Sequence, residues 1–241
     1  MIKILTDGNS KIGYGHLSRS KALYSFIKHK SPTSLEIISE SSSKSSNIFK
    51  SKITIVDLPL GYDREILREK KISEILLCLD YFGDVNVDFN IVVFPHTNPV
   101  ADISTFIGLD YIILRKNILT IKKNQNPKEN YFLVTIGGAD INNHSISIAK
   151  RIYEQGFNVK VCLGPLYNFV LDDKYPFEVL NNPSNFHEVL NNASIVICNG
   201  GGTLFESLYL NKKCYVIPQS NEEENIANYL YSEDLNYNKY L

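Results

Sequence analysis

The stretch from which the organisation of this chain can be read is Asp7-Gly-Asn-Ser-Lys-Ile-Gly-Tyr-Gly-His16-Leu-Ser-Arg19. It follows an apolar run, Ile2–Leu5, and it precedes Leu17–His29, where apolar residues recur at helical spacing. The pattern predicts a strand, a glycine-bearing loop and a helix that begins near His16. Arg19 follows one helical turn later, on the same face of that helix.

The glycines of this loop allow three interpretations. Gly13-Tyr14-Gly15 begins like a dinucleotide-binding fingerprint, but Ser18 stands where the third glycine is required. A phosphate-binding P-loop needs Gly-Lys followed by Ser or Thr, and this loop lacks that sequence. The third interpretation is a ligand-binding loop whose helix opens with a functional histidine. Its simpler rival is that His16 only caps the helix.

A second glycine loop favours the ligand-binding interpretation. An apolar strand at Ile195–Cys198 leads into three successive glycines and then into another helix. The first N–H groups of a helix are unpaired and lie at the positive end of its dipole, so they bind phosphate without lysine or arginine. The predicted nucleotide site comprises Asn199, Gly200, Gly201, Gly202, Thr203 and Glu206, with the Glu206 carboxylate on ribose hydroxyls. The alternative is a tight turn followed by a solvated glutamate.

Composition limits the classes of function. With 241 residues, of which 44% are hydrophobic, the chain can form one or two domain cores. A net charge of −1 gives no field for capturing nucleic acid or anionic membrane. The four cysteines are scattered without a Cys-x-x-Cys pair, which gives no support to a zinc or redox motif and fits a reducing compartment. No apolar run approaches the ~18–20 residues of a membrane span. We therefore expect a cytoplasmic protein without a cofactor.

Apolar strands alternate with helices in two series. Continuous apolar strands separated by helices predict parallel sheets with both faces covered. A polar stretch at residues 116–130, which contains Pro127, separates the two series and predicts domains at residues 1–118 and 129–241. Because ligands of such sheets bind beyond the carboxyl ends of the strands, we expect the two domains to face each other across a cleft. The predicted strands are Ile2–Leu5, Leu35–Ile38, Ile53–Val56, Ile75–Leu79, Ile91–Phe94 and Tyr111–Leu114, then Tyr131–Ile136, Val159–Leu163, Phe177–Leu180, Ile195–Cys198 and Cys214–Ile217.

These motifs resemble the nucleotide-sugar-processing proteins of the glycosyltransferase B (GT-B) superfold. The group they resemble most is the UDP-sugar hydrolases of pseudaminic acid biosynthesis with their spore-coat polysaccharide relatives (the PseG/SpsG group). The N-terminal pattern of that group is an aspartate, then Ile-Gly-Phe/Tyr-Gly-His, then an arginine three residues on. Here the pattern stands as Asp7, Ile12–His16 and Arg19.

Two further loops carry the resemblance. Gly137-Gly138-Ala139-Asp140, followed by Asn143, is similar to the Gly-Gly-x-Asp loop of the group. Asn199–Glu206, together with Pro218-Gln219, is similar to the nucleotide-binding end that the group shares with glycosyltransferases.

The resemblance implies a GT-B-like pair of Rossmann-like domains, a UDP-sugar substrate and UDP as product. The sugar would be a diacetamido-trideoxy-hexose, and His16 would be the base that takes a proton from the attacking water. The glycine-opened helix would stabilise the leaving diphosphate. The residues predicted to bind substrate are Asp7, Gly13, Tyr14, Gly15, Arg19, Gly137, Gly138 and Asp140.

One motif departs from the group. The hydrolases carry Asp-His-Tyr-Gly after a strand, and we match it to Asp57-Leu58-Pro59-Leu60, which keeps only the aspartate. Tyr62 and Tyr81 are candidates to replace the missing aromatic residue, and His96 is a candidate to line the cleft. Two enzymes stay open: a hydrolase with water as acceptor, and a GT-B glycosyltransferase in which His16 deprotonates a sugar hydroxyl. A nucleotide-sugar-binding protein without activity is a third possibility.

Overall fold

The structure is a computed structural model that describes residues 1–9, 13–41, 50–93, 104–124, 130–172, 174–232 and 237–238. Internal contacts divide the chain into two compact units, Met1–Lys116 and Asn117–Leu241. Each unit contains a six-stranded sheet. Every pair of neighbouring strands in these sheets is parallel, which confirms the predicted α/β class. No helix in the described part of the chain is long and apolar enough to cross a membrane.

The N-terminal unit has the strand order β2-β1-β3-β4-β5-β6. A 3-10 turn follows the last strand, and a short helix, α4, begins at the last residue of the unit. The elements are β1 (Ile2–Thr6), α1 (Gly15–Ile27), β2 (Thr33–Ile37), α2 (Ile38–Ser41), β3 (Ser51–Asp57), α3 (Asp63–Ile72), β4 (Ser73–Leu79), β5 (Phe89–Val92), β6 (Ser104–Ile107), the 3-10 turn (Leu109–Tyr111) and α4 (Lys116–Thr120).

Successive side chains of the central strands alternate between two apolar cores, one on each face of this sheet. Ile4 of β1 belongs to the cluster that includes Leu23 of α1, whereas the next residue, Leu5, belongs to the cluster that includes Ile66 of α3. Successive strand residues point to opposite faces. A strand buried on both faces is therefore mostly apolar, as β1 is at Ile2, Ile4 and Leu5, while the buried Lys3 between them pairs with Glu69.

The C-terminal unit has the strand order β12-β11-β10-β7-β8-β9. One apolar cluster of this unit joins Val134 of β7 and Val161 of β8 to Ile146, Ala149 and Ile152 on the buried face of α5. The elements are β7 (Phe132–Thr135), α5 (His144–Glu154), β8 (Val159–Leu163), β9 (Glu178–Asn181), α6 (Phe186–Asn192), β10 (Ile195–Cys198), α7 (Gly202–Tyr209), β11 (Lys213–Val216), α8 (Asn221–Ser232) and β12 (Tyr237–Asn238).

One predicted strand is wrong. The predicted strand at Tyr111–Leu114 is instead a turn with irregular backbone, and the sixth strand of the sheet is β6. Ile113 packs against the apolar cluster on the α1 face without joining the ladder, so an apolar residue there did not require a strand. Asn221 is the first residue of α8, and the amide of Glu223 donates to the side chain of the preceding residue, Ser220 Oγ, at 3.3 Å. His96 lies outside the described residues.

The strand orders place a topological switch point in each sheet. In the N-terminal unit, β2 lies on one side of β1 and β3 lies on the other. In the C-terminal unit, β8 lies on one side of β7 and β10 lies on the other. Open α/β sheets bind ligands beyond the carboxyl ends of the strands at such a point. The loop after β1 carries His16, and the loops after β7 and β10 carry the other two glycine motifs.

Candidate active site

At the switch point of the N-terminal sheet, a histidine contacts a buried carboxylate. His16 is the second residue of α1, and its Nδ1 lies 2.7 Å from Oδ1 of Asp57, the last residue of β3. The His16 side chain is 26% exposed and the Asp57 side chain is 0% exposed. Tyr14, at the N-cap of α1, makes no side-chain capping hydrogen bond. The His16 ring is thus used against Asp57 rather than as a helix cap.

The contact with Asp57 sets the chemistry of the His16 ring. An ionised carboxylate only accepts hydrogen bonds, so Nδ1 of His16 must donate. In a neutral imidazole with its proton on Nδ1, Nε2 carries a lone pair. The ring therefore has the tautomer that a general base requires, with the carboxylate placed to stabilise the imidazolium formed when the base takes a proton.

Arg19 keeps Asp57 ionised. Its Nε donates to Asp57 Oδ2 at 2.9 Å and its Nη2 donates to Asp57 Oδ1 at 2.6 Å, while Ser20 Oγ donates to Oδ2 at 3.1 Å. Burial raises the pKa of Asp57, but the charge of Arg19 and the hydrogen bonds from His16 and Arg19 outweigh it and lower the pKa to about 2. Asp57 is accordingly a carboxylate at neutral pH.

The guanidinium of Arg19 is hydrogen-bonded to two protein carboxylates. Besides the two bonds to Asp57, its Nη1 donates to Asp80 Oδ2. Burial lowers the pKa of Arg19, but Asp57 and Asp80 raise it well above its ordinary value. Arg19 was predicted to bind substrate, and the structure places its guanidinium between two aspartates.

Asp80 is the site residue that our sequence analysis missed. It directly follows β4, has a left-handed backbone with φ 48°, and accepts the Val93 N–H on Oδ1 at 3.0 Å. Such a backbone in a residue other than glycine is uncommon and marks a constrained position. The signal was available, because Asp57 and Asp80 both end predicted parallel strands. Moreover, Asp80-Tyr81-Phe82-Gly83 keeps the aspartate, an aromatic third residue and the glycine of the hydrolase motif that we matched to Asp57–Leu60.

Asp7 organises the loop around His16. Its Oδ1 accepts the amides of Gly8 at 2.8 Å and Ser39 at 3.2 Å, and its Oδ2 accepts the Tyr62 hydroxyl at 2.9 Å. Burial raises the pKa of Asp7, but these hydrogen bonds bring it below the ordinary value. Tyr81 is buried and its hydroxyl donates to Asp63 Oδ1 at 2.5 Å. Both tyrosines proposed to replace the missing aromatic residue thus have hydroxyls engaged within the protein.

The glycines of the first loop serve different purposes. A Cβ on Gly8 would lie 2.6 Å from Cβ of Leu17, so the close approach of loop and helix requires glycine there. Gly13 has φ +80°, which favours glycine. Gly15, the first residue of α1, meets neither condition, since a Cβ there would have no atom within 4 Å. The open space at Gly15 is where a ligand can approach the backbone. Tyr14, the preceding residue, accepts a hydrogen bond from Lys21 Nζ at 3.0 Å.

At the switch point of the C-terminal sheet, a carboxylate from α8 holds the loop after β10. Glu223 accepts Asn199 Nδ2 at 2.5 Å, the Gly200 amide at 3.3 Å and the Gln219 amide at 2.7 Å. Burial raises the pKa of Glu223, although these hydrogen bonds oppose the rise. A Cβ on Gly200 would lie 2.7 Å from the Glu223 carbonyl oxygen, so the packing of α8 requires that glycine. The Gly200 amide is thus already engaged by the protein.

The amides that open α7 belong to Gly202 and Thr203, with Gly201 at the N-cap. A Cβ on Gly202 would have no atom within 4 Å, as at Gly15. Glu206 lies one turn inside α7 and is 4% exposed. The structure therefore leaves open space at the start of α7 and places the Glu206 carboxylate in its buried part.

The loop after β7 lies against the loop after β10. Gly137 has φ +66°, and a Cβ there would lie 2.9 Å from Asn199 Nδ2. The carbonyls of Gly137 and Gly138 lie so near Gly164 that a Cβ on Gly164 would be 2.4 Å from each. Asp140 accepts the amides of His144 and Ser145, each at 2.8 Å, and so caps α5. The predicted residues Gly137, Gly138 and Asn199 are thus brought together, whereas both carboxylate oxygens of Asp140 bind helix amides.

A cavity of about 450 Å³ lies at the other edge of this sheet, beside the amino ends of β7, β8 and β9. Its lining includes Tyr131, Lys160 and Glu178. Lys160 Nζ pairs with Glu178 Oε2 at 3.3 Å and lies 4.6 Å from the centre of the Tyr131 ring. Lys160 and Glu178, which line the cavity, thus pair with each other, and the cavity lies away from the switch point. We therefore do not place the candidate site there.

Sequence comparison finds one curated relative of uncharacterized function. No protein-family model matches the chain. The sequence is 23% identical to the uncharacterized protein MJ1062 of Methanocaldococcus jannaschii over 280 aligned positions, which cover 91% of this chain and 56% of that protein. The chain thus spans little more than half the length of this curated relative.

Two solved structures match nearly the whole chain. MurG of Acinetobacter baumannii superposes with a TM-score of 0.60 at 12% identity, covering 96% of this chain and 84% of MurG. The glycotransferase of kitacinnamycin superposes with a TM-score of 0.58 at 12% identity, covering 99% of this chain and 86% of that chain. At 12% identity, both matches bear on the fold alone. The chain therefore has a GT-B-like α/β fold, as the sequence predicted.

Proposed function

We propose that this protein is an enzyme that hydrolyses a UDP-sugar and releases UDP. The observation that carries the proposal is the bond from His16 Nδ1 to the buried, ionised Asp57, which gives Nε2 the lone pair of a general base. The GT-B-like fold supports a nucleotide sugar as substrate, and the resemblance of the His16 loop to the PseG/SpsG group supports a diacetamido-trideoxy sugar. The same resemblance supports a role in nonulosonic acid or surface polysaccharide biosynthesis.

In the proposed reaction, His16 Nε2 takes a proton from water as the water oxygen attacks the anomeric carbon. The bond between that carbon and the diphosphate oxygen breaks, and UDP leaves with the electron pair. The charge on the leaving diphosphate is stabilised by the amides that open α7 at Gly202 and Thr203. Glu206 accepts hydrogen bonds from the ribose, and Gly15, Gly137 and Gly138 let the backbone approach the substrate.

A glycosyltransferase is the alternative, and one of the structures that match the fold is described as a glycotransferase. The same His16–Asp57 pair would then remove a proton from a sugar hydroxyl instead of water. The UDP-binding role of the C-terminal unit is the same in both functions, so only the acceptor distinguishes them.

The test is UDP release from a panel of UDP-sugars, including a diacetamido-trideoxy-hexose, without an acceptor. Wild type should release UDP over many turnovers. His16→Ala should lose roughly 10²–10⁴-fold in turnover, the usual contribution of a positioned base, and His16→Asn should do no better because an amide does not take up the proton. His29→Ala, a change of an exposed histidine just beyond α1, is the matched control and should be unaffected. Release only when a sugar acceptor is added would establish the transferase, and full activity in His16→Ala would remove the proposed base.

A further inference from the structure

The charges around His16 do not cancel, and the excess is negative. Asp57 and Arg19 form a two-bond ion pair of zero net charge, with Asp57 fully buried. A neutral pair gives little stabilisation to an imidazolium beside it, because the guanidinium repels the charge that the carboxylate attracts. Asp80 accepts a hydrogen bond from the third donor of Arg19, Nη1. Its carboxylate brings the net charge of the cluster of Asp57, Arg19 and Asp80 to −1.

Asp80 is built into this position. Its backbone is held in the left-handed region, with φ 48°, and its amide donates to the Ile91 carbonyl at 2.8 Å. One carboxylate oxygen accepts the Val93 amide and the other accepts Arg19 Nη1. The side chain is 27% exposed, so two strands and a partly buried arginine fix a carboxylate that still reaches solvent.

The groups that contribute to this cluster come from three elements. Helix α1 supplies His16, Arg19 and Ser20, β3 supplies Asp57, and Asp80 follows β4. On β4 itself, burial and the nearby charges, Asp57 among them, raise the pKa of the Cys78 thiol to about 12, so this group is neutral at the pH of the reaction. Among these groups, Arg19 and Asp80 are the charges that no reaction step in the proposed function uses, and Asp80 is the one that leaves the negative excess.

We propose that Asp80 is a positioning residue that offsets the charge of Arg19, so that Asp57 can stabilise the imidazolium of His16. The inference rests on the proposed function, since it assigns His16 as the base. Asp80 touches neither substrate nor the reacting atoms in this role. It acts through Arg19, and its effect is on the charged state of His16.

Asp80→Asn is the decisive variant, because asparagine also tolerates a left-handed backbone and changes the charge with little change of shape. We expect kcat to fall roughly tenfold, the effect of about 1.4 kcal/mol less stabilisation of the imidazolium, with little change in KM. The acid limb of the pH–rate profile should move to lower pH, because removing a negative charge makes the protonated ring less stable. Nitrogen NMR of the His16 ring should show its titration midpoint moving the same way.

Asp84→Asn is the matched control, since Asp84 is an exposed aspartate four residues further on. Its kcat, pH profile and NMR titration should equal those of wild type. Asp80→Glu keeps the charge and should retain the wild-type titration midpoint. If Asp80→Asn does not fold, Asp80→Gly removes the same charge in a residue suited to a left-handed backbone.

The two proposals fail in different ways. Absence of UDP release from the wild type would end the proposed function, and the NMR titration would still judge whether Asp80 stabilises the imidazolium. A fall in kcat without a shift of the titration midpoint would overturn the role of Asp80 while leaving the hydrolase intact. An Asp80→Asn variant with an unchanged kcat and an unchanged midpoint would overturn it as well.

Discussion

Asp57 is the residue on which the candidate site depends most. It accepts hydrogen bonds from the His16 ring, from two donors of Arg19 and from the Ser20 hydroxyl, and it has no exposed surface. A carboxylate has about four acceptor sites, so this one is fully used inside the protein. Its charge therefore contributes to the stability of the fold as well as to the proposed chemistry.

The low pKa of Asp57 predicts a loss of stability in acid. The folded-state pKa of about 2 lies below the ordinary value of 3.8. The contribution is therefore complete above pH 3.8 and is lost as the pH falls from there through 2. Its size is on the order of 2 kcal/mol. In urea unfolding at pH 5 and pH 2.5, the unfolding free energy of wild type should fall more than that of Asp57→Asn. Equal losses in the two proteins would show that the pKa of Asp57 is not lowered in the folded state.

At the scale of residues, the sequence predicted the part of the site whose members lie close together along the chain. His16 and Arg19 share a helix face because of their spacing, and both do contact the same carboxylate. Their partners come from β3 and β4, and only the pairing of strands brings those aspartates to α1. Parallel strands place their carboxyl ends at one edge of a sheet, which was reason to group Asp57 with Asp80, but not to choose the partners of each.

Among the elements, α1 and α7 share an unusual feature, because each opens with a glycine that the described fold does not require. Gly15 and Gly202 begin these helices, and the position of a Cβ on either one is open space. Glycine lowers helix stability relative to alanine. Both helices also begin at the carboxyl edge of a sheet, beside its switch point, where a ligand is expected.

This feature makes substitutions in the loop before α7 informative. Gly202→Ala should keep or raise the stability of the protein, by up to about 0.5–1 kcal/mol, because alanine suits the helix better. It should weaken UDP binding at least tenfold in calorimetry, because the methyl group occupies the space the diphosphate needs. Gly200→Ala is the contrast, and should lower the melting temperature because its Cβ would meet the Glu223 backbone. A Gly202→Ala protein that binds UDP like wild type would place the nucleotide elsewhere.

The elements themselves were largely predictable from sequence. β10 spans Ile195–Cys198, as the apolar run indicated, because a strand buried on both faces leaves a continuous apolar signal. β6 was missed since three of its four residues are exposed at the edge of the sheet, where no apolar residue is needed. Ile113 shows the reverse, because this partly buried apolar residue packs against the core without being in a strand.

For the whole molecule, the proposed function divides the work between the two units. Nucleotide binding is assigned to the unit that begins at Asn117, and the base is assigned to the unit that ends at Lys116. Hydrogen exchange with saturating UDP should therefore slow at residues 199–207 and 137–140, because binding orders the local backbone there. Exchange at residues 7–20 should be unchanged by UDP alone. Protection confined to residues 7–20 would reverse the assignment.

The parallel order of the strands also sets a condition on how this chain folds. Parallel neighbours need a crossover connection, so the pairs described here have no hairpin with which to start. β10 joins β7 across about 60 residues of chain, and β1 joins β3 across about 50. Topologies of this kind fold slowly, because the entropy of closing long loops is lost before the contacts form. His16 meets Asp57 only once β3 has docked on β1, and Arg19 meets Asp80 only once β4 has joined them. The acid–base group therefore forms only when β1, β3 and β4 have paired, and a chain in which these strands have not yet paired will not display it.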